Sequence, residues 1–166
     1  MPKITSLQDV LVEQLKDLYS TETQLTKALP KLAKAAACPD LKAGFVSHLK
    51  QTQEHVTRIE KICEELQVKP TGKKCEATVG LVLEGQEAID ENATPETKDL
   101  LLIAAGQRVE HYEIAAYTTA ISLAKALGLT SAVKALSSTL SEEVATDAKL
   151  SKASASAMEK MVVETV

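Results

Sequence analysis

The stretch VEHYEIAAY, residues 109–117, places Glu110, His111 and Glu113 in a segment that is otherwise rich in alanine, leucine and isoleucine. Because an α-helix advances about 100° per residue, Glu110 falls in the middle of an apolar stripe, and Glu113 flanks the same stripe. His111 lies about 100° away from Glu110 around the helix. The spacing therefore predicts that the two glutamates face the protein interior, whereas His111 is a surface or interface histidine held by a hydrogen bond.

Two other segments also place acidic side chains on apolar faces. Glu22 lies within roughly 20° of the centre of a leucine stripe on the first predicted helix. Near the end of the sequence, LSEEVATDAKL carries Glu143 and Asp147 four residues apart, along a stripe of leucines and methionines. Glu142 is predicted to point to the opposite side and to be solvated. Glu22, Glu143 and Asp147 are thus predicted to reach the interior.

The second predicted helix carries polar groups at the edge of its apolar stripe. Thr52 lies near the centre of that stripe, and His48, Gln51 and His55 lie at its edge. Gln51 and His55 are four residues apart, the same spacing as the acidic pair near the end of the sequence, so the two pairs could face one another. We include His55 among the candidate ligands, with a structural histidine as the alternative.

Several carboxylates that converge in one core require a compensating charge. An unpaired buried carboxylate costs several kcal/mol or becomes protonated. Helical bundles hold pairs of divalent ions with carboxylates and histidines from four facing helices, and an oxygen-rich site with few histidines suits Fe or Mn. The sequence therefore predicts a site for two Fe or Mn ions. The predicted metal ligands are Glu22, His55, Glu110, Glu113, Glu143 and Asp147.

Ion pairing is the alternative explanation for each of these carboxylates. Arg108 lies on the same helix as Glu113, and Arg58 lies on the second helix, so either arginine could neutralise part of the set. A carboxylate near a helix end could also reach solvent. For Glu22, Glu110 and Glu143 together, placement at stripe centres on three helices favours the metal site.

Proline, glycine and capping residues divide the chain into helices. Ser6 or Thr5 can cap the first helix, and Pro39 with Asp40 is predicted to form the turn that ends it. Pro70 and Gly72 interrupt the chain after the second helix, and Thr94 with Pro95 begins the third long helix. The predicted later helices are 41–66, a short helix 76–92, 95–127 and 131–161.

The lengths of the connections predict the topology. Short connections join the first helix to the second and the third long helix to the fourth, which favours two antiparallel hairpins. A long crossover that carries the short helix joins the two hairpins. We therefore predict an all-α fold with one domain, residues 1–166. It is a ferritin-like four-helix bundle with a short extra helix on the crossover.

Composition excludes several classes of protein. The formal net charge is −4 and is spread along the chain, so no basic patch indicates nucleic-acid binding. The longest apolar run, LLLIAA, is too short to cross a bilayer, and MPKITSLQDV has no apolar signal segment, so no membrane partner and a cytoplasmic location are expected. Three cysteines without C-x-x-C spacing predict neither a zinc site nor a redox motif.

Three stretches resemble a known family. LKDLYSTETQLTKALPKLAKAA, VEHYEIAAYTT and LSEEVATDAKL are similar to the corresponding helices of the YciF/YciE family of ferritin-like bacterial stress proteins, a domain of unknown function. The resemblance implies a homodimer and a two-metal site comparable to those of rubrerythrin and manganese catalase. The second helix departs from the family pattern: Lys50, Gln51 and Thr52 stand where the family tends to have EET. The family's acidic positions are matched here by Glu22, Glu110, Glu113, Glu143 and Asp147.

Two functions remain open at this stage. The first is a stress-response metalloprotein that handles oxygen or peroxide at a carboxylate-bridged pair of Fe or Mn ions. The second is a non-catalytic, dimeric helical protein with a structural or interaction role, whose core carboxylates are ion-paired or bind metal only weakly. The apolar side chains of the short helix, among them Val79, Val82, Leu83 and Ile89, are predicted to form part of a partner contact.

Overall fold

Helices account for nearly all of the chain. The computed structural model describes residues 3–164, with the side chains of residues 3–159, 161 and 162. Within this range there are five helices and no strands, which confirms the predicted all-α fold. The helices are α1 Leu7–Ala35, α2 Pro39–Glu65, α3 Glu76–Asp90, α4 Pro95–Ala126 and α5 Thr130–Glu164.

Side-chain caps mark the starts of α1 and α4. Ser6 and Asp9 form a reciprocal capping box at the start of α1. Thr94 caps α4 by accepting a hydrogen bond from the backbone N–H of Thr97, and Pro95 occupies the first turn. The predicted turn at Pro39 is wrong by two residues, because Pro39 is the first residue of α2. Proline is tolerated there because the first N–H groups of a helix have no intrahelical acceptor.

The four long helices form a closed ring of neighbours. The hairpins α1–α2 and α4–α5 pack internally, and contacts of α1 with α4 and of α2 with α5 join them. In the first hairpin, Leu32 at the end of α1 clusters with Leu41 at the start of α2, whereas Leu11 clusters with Ile62. This pairing is antiparallel, as predicted. None of the helices among residues 3–164 is both long enough and apolar enough to cross a membrane.

Two apolar clusters fill the bundle and leave a polar layer between them. One cluster is built around Leu11, Leu15, Ile59, Tyr117 and Leu136. The other has buried side chains of all four long helices at its centre, namely Leu25, Leu29, Phe45, Leu102 and Leu150. On each long helix, buried polar residues lie between the residues of the two clusters. The fold therefore brings polar side chains from four helices to one level of the bundle.

The short helix α3 packs against α1 and α4. Val82 and Ile89, two residues of the predicted partner surface, pack against the second apolar cluster of the same chain. Leu83 is 58% exposed. Part of the apolar face of α3 is therefore used within the chain itself.

Candidate metal centre

The polar layer contains two overlapping groups of side chains that could each hold a metal ion. His48, Glu110, Glu113 and Glu143 form the first group, and Glu22, His55 and Glu143 form the second. In each group, one potential ligand atom per residue lies within 4.8 Å of the others, and every residue is buried. Glu143 belongs to both groups, so the two positions share a carboxylate.

His48 links α2 to α4 and α5 in the first group. Its Nε2 atom lies 3.3 Å from Oε1 of Glu110 and 3.5 Å from Oε2 of Glu143. The opposite ring nitrogen, Nδ1, lies 3.4 Å from Oε1 of Gln51 and 3.3 Å from Oγ1 of Thr146. When Nδ1 carries a proton that Gln51 accepts, the lone pair of Nε2 faces the carboxylates, as a metal ligand requires.

His55 occupies the corresponding place in the second group. Its Nδ1 atom lies 2.9 Å from Oε1 of Glu143 and 3.4 Å from Oε1 of Glu22. Its Nε2 atom lies 2.7 Å from Oε2 of Glu142, on the outer side of the layer. The hydroxyl of Tyr117 donates a short hydrogen bond to Oε1 of Glu22. Each nitrogen of His55 therefore contacts a different set of carboxylates.

Most ligand atoms of the layer have no hydrogen-bond partner among the described residues. The contacts of His55 Nδ1 are close, but they lack the alignment of a hydrogen bond, so this atom is among those without a partner. Native proteins leave few buried polar atoms unsatisfied, and such atoms require an explanation. The unsatisfied atoms of the layer are Oε2 of Glu22, Nδ1 of His55, Oε2 of Glu110 and both carboxylate oxygens of Glu113 and of Glu143.

Burial and like charge perturb the acids of the layer. Burial, followed by the charges of Glu22, Glu143 and Glu110, raises the pKa of Glu113 well above its usual value. Burial also raises the pKa of Glu22, and that of Glu110 to about 7. For Glu143, burial acts in the same direction, but His55 and His48 outweigh it and lower the pKa. Glu143 is therefore the carboxylate that the layer holds most firmly in its ionised form.

The pKa values of the two histidines of the layer are raised, which favours the charged form of each ring. Burial opposes the charge of His48, but its contacts with Glu110 and Glu143 raise its pKa to about 9. Burial likewise opposes the charge of His55, and Glu143 and Glu22 raise its pKa to about 10. Without a bound cation, the negative charge of the carboxylates therefore favours the protonated form of each ring.

The arginines proposed as alternative partners do not neutralise the layer. Arg58 pairs with Glu142 at 2.6 Å, and Arg108 pairs with Glu84 at 3.6 Å on the surface. Among the described residues, the ion pairs of lysine and arginine involve none of the four carboxylates of the layer. Simple ion pairing with lysine or arginine therefore does not account for Glu113.

The structure brings together five of the six predicted ligands: Glu22, His55, Glu110, Glu113 and Glu143. Asp147 lies in neither group. Its Oδ1 atom accepts a hydrogen bond from Gln107 at 3.0 Å and lies 3.5 Å from Nε2 of His111, at the surface between α4 and α5. The side chain of His111 is 69% exposed, which confirms its predicted surface position.

Two residues around the layer, Glu142 and His48, were not identified as such from the sequence. Glu142 was missed because the buried face of α5 was defined by apolar side chains alone. Thr139 and Thr146 are buried on that face, which turns it away from Asp147 and towards Glu142. Glu142, predicted to be solvated, is instead half-buried against His55 and Arg58. The second omission is His48. Its spacing of seven residues from His55, which places both on one helical face, could have identified it.

Comparisons with known proteins agree on one family. A family model described as "Domain of unknown function (DUF892)" matches residues 6–163. Protein YciF from Escherichia coli strain K12 is 45% identical over 146 residues, which cover 87% of this chain and 88% of that protein.

Solved structures show the same fold. The crystal structure of the E. coli stress protein YciF superposes with a TM-score of 0.91 at 42% identity, covering 95% of this chain and 99% of that one. YcfI from Rhodopseudomonas palustris, whose description proposes a structural role, gives a TM-score of 0.86 at 40% identity, covering 90% and 95%. A protein from Xanthomonas campestris, at 17% identity, shares the fold with a TM-score of 0.75 over 97% of this chain and 100% of that one.

Proposed function

This chain belongs to the DUF892 family, and we propose that its polar layer binds two Fe or Mn ions and acts on oxygen or peroxide during stress. The main support is the set of buried carboxylate oxygens without hydrogen-bond partners, contributed by Glu22, Glu110, Glu113 and Glu143. A stress role is supported by the description of a 42% identical relative as a stress protein.

Two divalent ions would balance the charge of the polar layer without protons on its carboxyl groups. The layer contains four buried carboxylates and two imidazoles. In the metal-free protein with both imidazoles protonated, two of the carboxyl groups must also hold a proton for the layer to be neutral, and the raised pKa values of Glu22 and Glu113 favour this. With both imidazoles neutral, the four carboxylates match the charge of two divalent ions. Carboxylate and imidazole donors also suit Fe and Mn better than they suit a structural zinc ion.

The two groups suggest a division of the ligands. His48, Glu110 and Glu113 would hold one ion, Glu22 and His55 would hold the other, and Glu143, which belongs to both groups, would bridge them. Bound Fe or Mn would supply one-electron chemistry with oxygen or peroxide.

Protein groups around the layer control access to it and its geometry. The apolar clusters above and below the layer keep bulk water from the site. The hydrogen bond from Tyr117 fixes Oε1 of Glu22, the oxygen that lies 3.4 Å from Nδ1 of His55, and Oε2 of Glu22 is buried without a hydrogen-bond partner.

Metal analysis with a matched variant tests this function. Protein purified without chelators is expected to contain Fe or Mn, and Glu110→Ala is expected to lose a large part of it, because Glu110 contacts His48 and faces the first group. The control is Glu84→Ala, which removes an exposed glutamate that pairs with Arg108. Metal content that is absent from the parent, or unchanged in Glu110→Ala, would rule out the proposed site.

A non-catalytic structural protein is the second candidate function. Its support is the internal pairing of the layer, in which His48 and His55 contact three of the four carboxylates, together with the R. palustris relative whose description proposes a structural role. In this form the protein would act as a homodimeric scaffold. A structural role predicts a melting temperature that does not respond to Mn²⁺ or EDTA. A metal-binding protein would instead gain about 2.7 kcal/mol at an ion concentration of 100 Kd.

A further inference from the structure

We propose that Glu142, held by Arg58, is a positioning residue that fixes the orientation of His55, so that the Nδ1 atom and not the Nε2 atom faces the buried carboxylates. The juxtaposition of Arg58, Glu142 and His55 joins the half-buried edge of the bundle to its buried centre. The orientation of the ring follows from these contacts alone. Its consequence for metal binding rests on the proposed function.

The two sides of the His55 ring face different surroundings. On the outer side, Nε2 lies 2.7 Å from Oε2 of Glu142 in a well-aligned hydrogen bond. On the inner side, Nδ1 lies near Glu143 and Glu22 without that alignment. The only hydrogen bond of the ring among the described residues is therefore the one to Glu142, and that bond determines which nitrogen remains available to the site.

Arg58 limits the positions that the Glu142 carboxylate can adopt. Its guanidinium group donates to both carboxylate oxygens, from Nη1 to Oε2 at 2.6 Å and from Nη2 to Oε1 at 3.1 Å. Such two-point pairing adds geometric specificity to the ion pair. Nη1 also donates to Oγ1 of the buried residue Thr139 at 3.0 Å, which anchors the guanidinium group itself.

An outer carboxylate of this kind has a known physical effect on an inner histidine. A hydrogen bond from one ring nitrogen to a carboxylate fixes the tautomer and orientation of the ring and increases the basicity of the other nitrogen. Loss of such a partner typically lowers metal affinity by 10–100-fold. Among the described residues, the side chain of Glu142 accepts hydrogen bonds from His55 and Arg58, so Glu142 acts on the site through His55.

Glu142→Leu is the direct test, because leucine is close to glutamate in size and cannot accept a hydrogen bond. The first measurement is the nitrogen-15 and proton NMR spectrum of the histidine rings in metal-free protein, assigned with a His55→Gln variant. The parent is expected to show a slowly exchanging Nε2 proton on His55, which Glu142→Leu loses. The second measurement is Mn²⁺ affinity by electron paramagnetic resonance, which is expected to fall 10–100-fold.

Two further variants act as controls. Glu54→Leu removes an exposed glutamate whose charge also acts on Arg58, and it is expected to leave both measurements unchanged. Glu142→Gln retains a carbonyl oxygen that can accept from Nε2, so it is expected to preserve the proton signal. This variant also keeps the question testable if the leucine variant does not fold.

The outcomes separate the inference from the proposed function. An unchanged Nε2 proton in Glu142→Leu, or its loss in Glu54→Leu as well, would overturn the positioning role of Glu142. If the parent protein binds no Mn²⁺, the proposed metal site fails, and the NMR signal alone then decides the inference. If the parent binds Mn²⁺ and Glu142→Leu binds it equally well, the metal site stands and the positioning role is refuted.

Discussion

Replacement of Glu113 by glutamine should stabilise the metal-free protein while it weakens metal binding. Glu113 is fully buried on α4, and neither of its carboxylate oxygens has a hydrogen-bond partner. Its neighbours in the first group include two further carboxylates, those of Glu110 and Glu143. Glutamine retains the shape of the side chain, removes its charge and adds an amide group that can donate to these carboxylates.

The separation of the ligand atoms sets the size of the effect. These atoms lie within 4.8 Å of one another, and two unit charges at that distance repel by about 3 kcal/mol at an effective dielectric constant of about 20. Burial and these charges raise the pKa of Glu113, and the protonation that follows limits the repulsion. We therefore expect Glu113→Gln to stabilise the metal-free protein by about 2 kcal/mol at pH 7, a rise in Tm of roughly 4–8 °C.

The pH dependence of this gain has a defined sign. A carboxyl group whose pKa is raised on folding destabilises the folded state above its unfolded value of 4.5 and has no such effect below it. The gain from Glu113→Gln should therefore be present at pH 7 and absent at pH 4.

Thermal melting with and without Mn²⁺ measures both effects, and Glu84→Gln, at an exposed site, serves as the control. Addition of Mn²⁺ should raise the Tm of the parent more than that of Glu113→Gln. A metal-free Glu113→Gln protein that melts below the parent would show that the charge of Glu113 does not destabilise the folded state. A variant that gains as much from Mn²⁺ as the parent would show that Glu113 is not a ligand.

Two further perturbations test the layer and its support separately. Burial opposes the charge of His48 and His55, but the carboxylates raise their folded-state pKa values from 6.5 to about 9 and about 10, respectively. The protonated rings therefore contribute stability that is fully present below pH 6.5 and is lost as the pH rises through 9 to 10. The free energy of unfolding of chelator-treated protein, measured with urea, should therefore fall as the pH rises, by at most about 3 kcal/mol from His48 and about 5 kcal/mol from His55. The fall should be smaller in His48→Gln, and a free energy of unfolding that does not depend on pH would contradict this. Asp99 accepts hydrogen bonds from the backbone N–H groups of Ala37 and Cys38 at 2.8 and 2.7 Å, so Asp99→Ala should lower the free energy of unfolding by about 3 kcal/mol without changing metal content. A loss of metal content in that variant would show that the turn between α1 and α2 also supports the site.

The helices were predictable because their boundaries depend on local chemistry. Ser6, Thr94 and Pro95 act at helix starts through hydrogen bonds or φ preferences that neighbouring residues determine. Pro39 shows the limit of such reasoning, because proline suits both a turn and the first position of a helix. Tertiary packing decides between the two, and here Asp99 of α4 accepts hydrogen bonds from the turn just before Pro39.

The site was predictable where a carboxylate lies at the centre of an apolar stripe, as Glu22, Glu110 and Glu143 do. It was not predictable where the buried face is itself polar. Thr139 and Thr146 are buried on α5. Because threonine is polar, neither residue was counted in the apolar stripe, and the predicted buried face was therefore rotated towards Asp147. On α2 the same limit applies, because the buried face carries histidines and a threonine in place of a carboxylate.

X-ray diffraction from crystals grown with Mn²⁺, recorded above and below the manganese absorption edge, would show whether the polar layer binds two ions. If the proposal is correct, the anomalous difference map will show two peaks in the polar layer, one beside His48 and Glu110 and one beside His55 and Glu22. Glu143 is expected to lie between the two peaks. A map without peaks in this layer, from crystals whose surface sites do bind Mn²⁺, would contradict the proposed metal site and favour a structural role for the buried carboxylates.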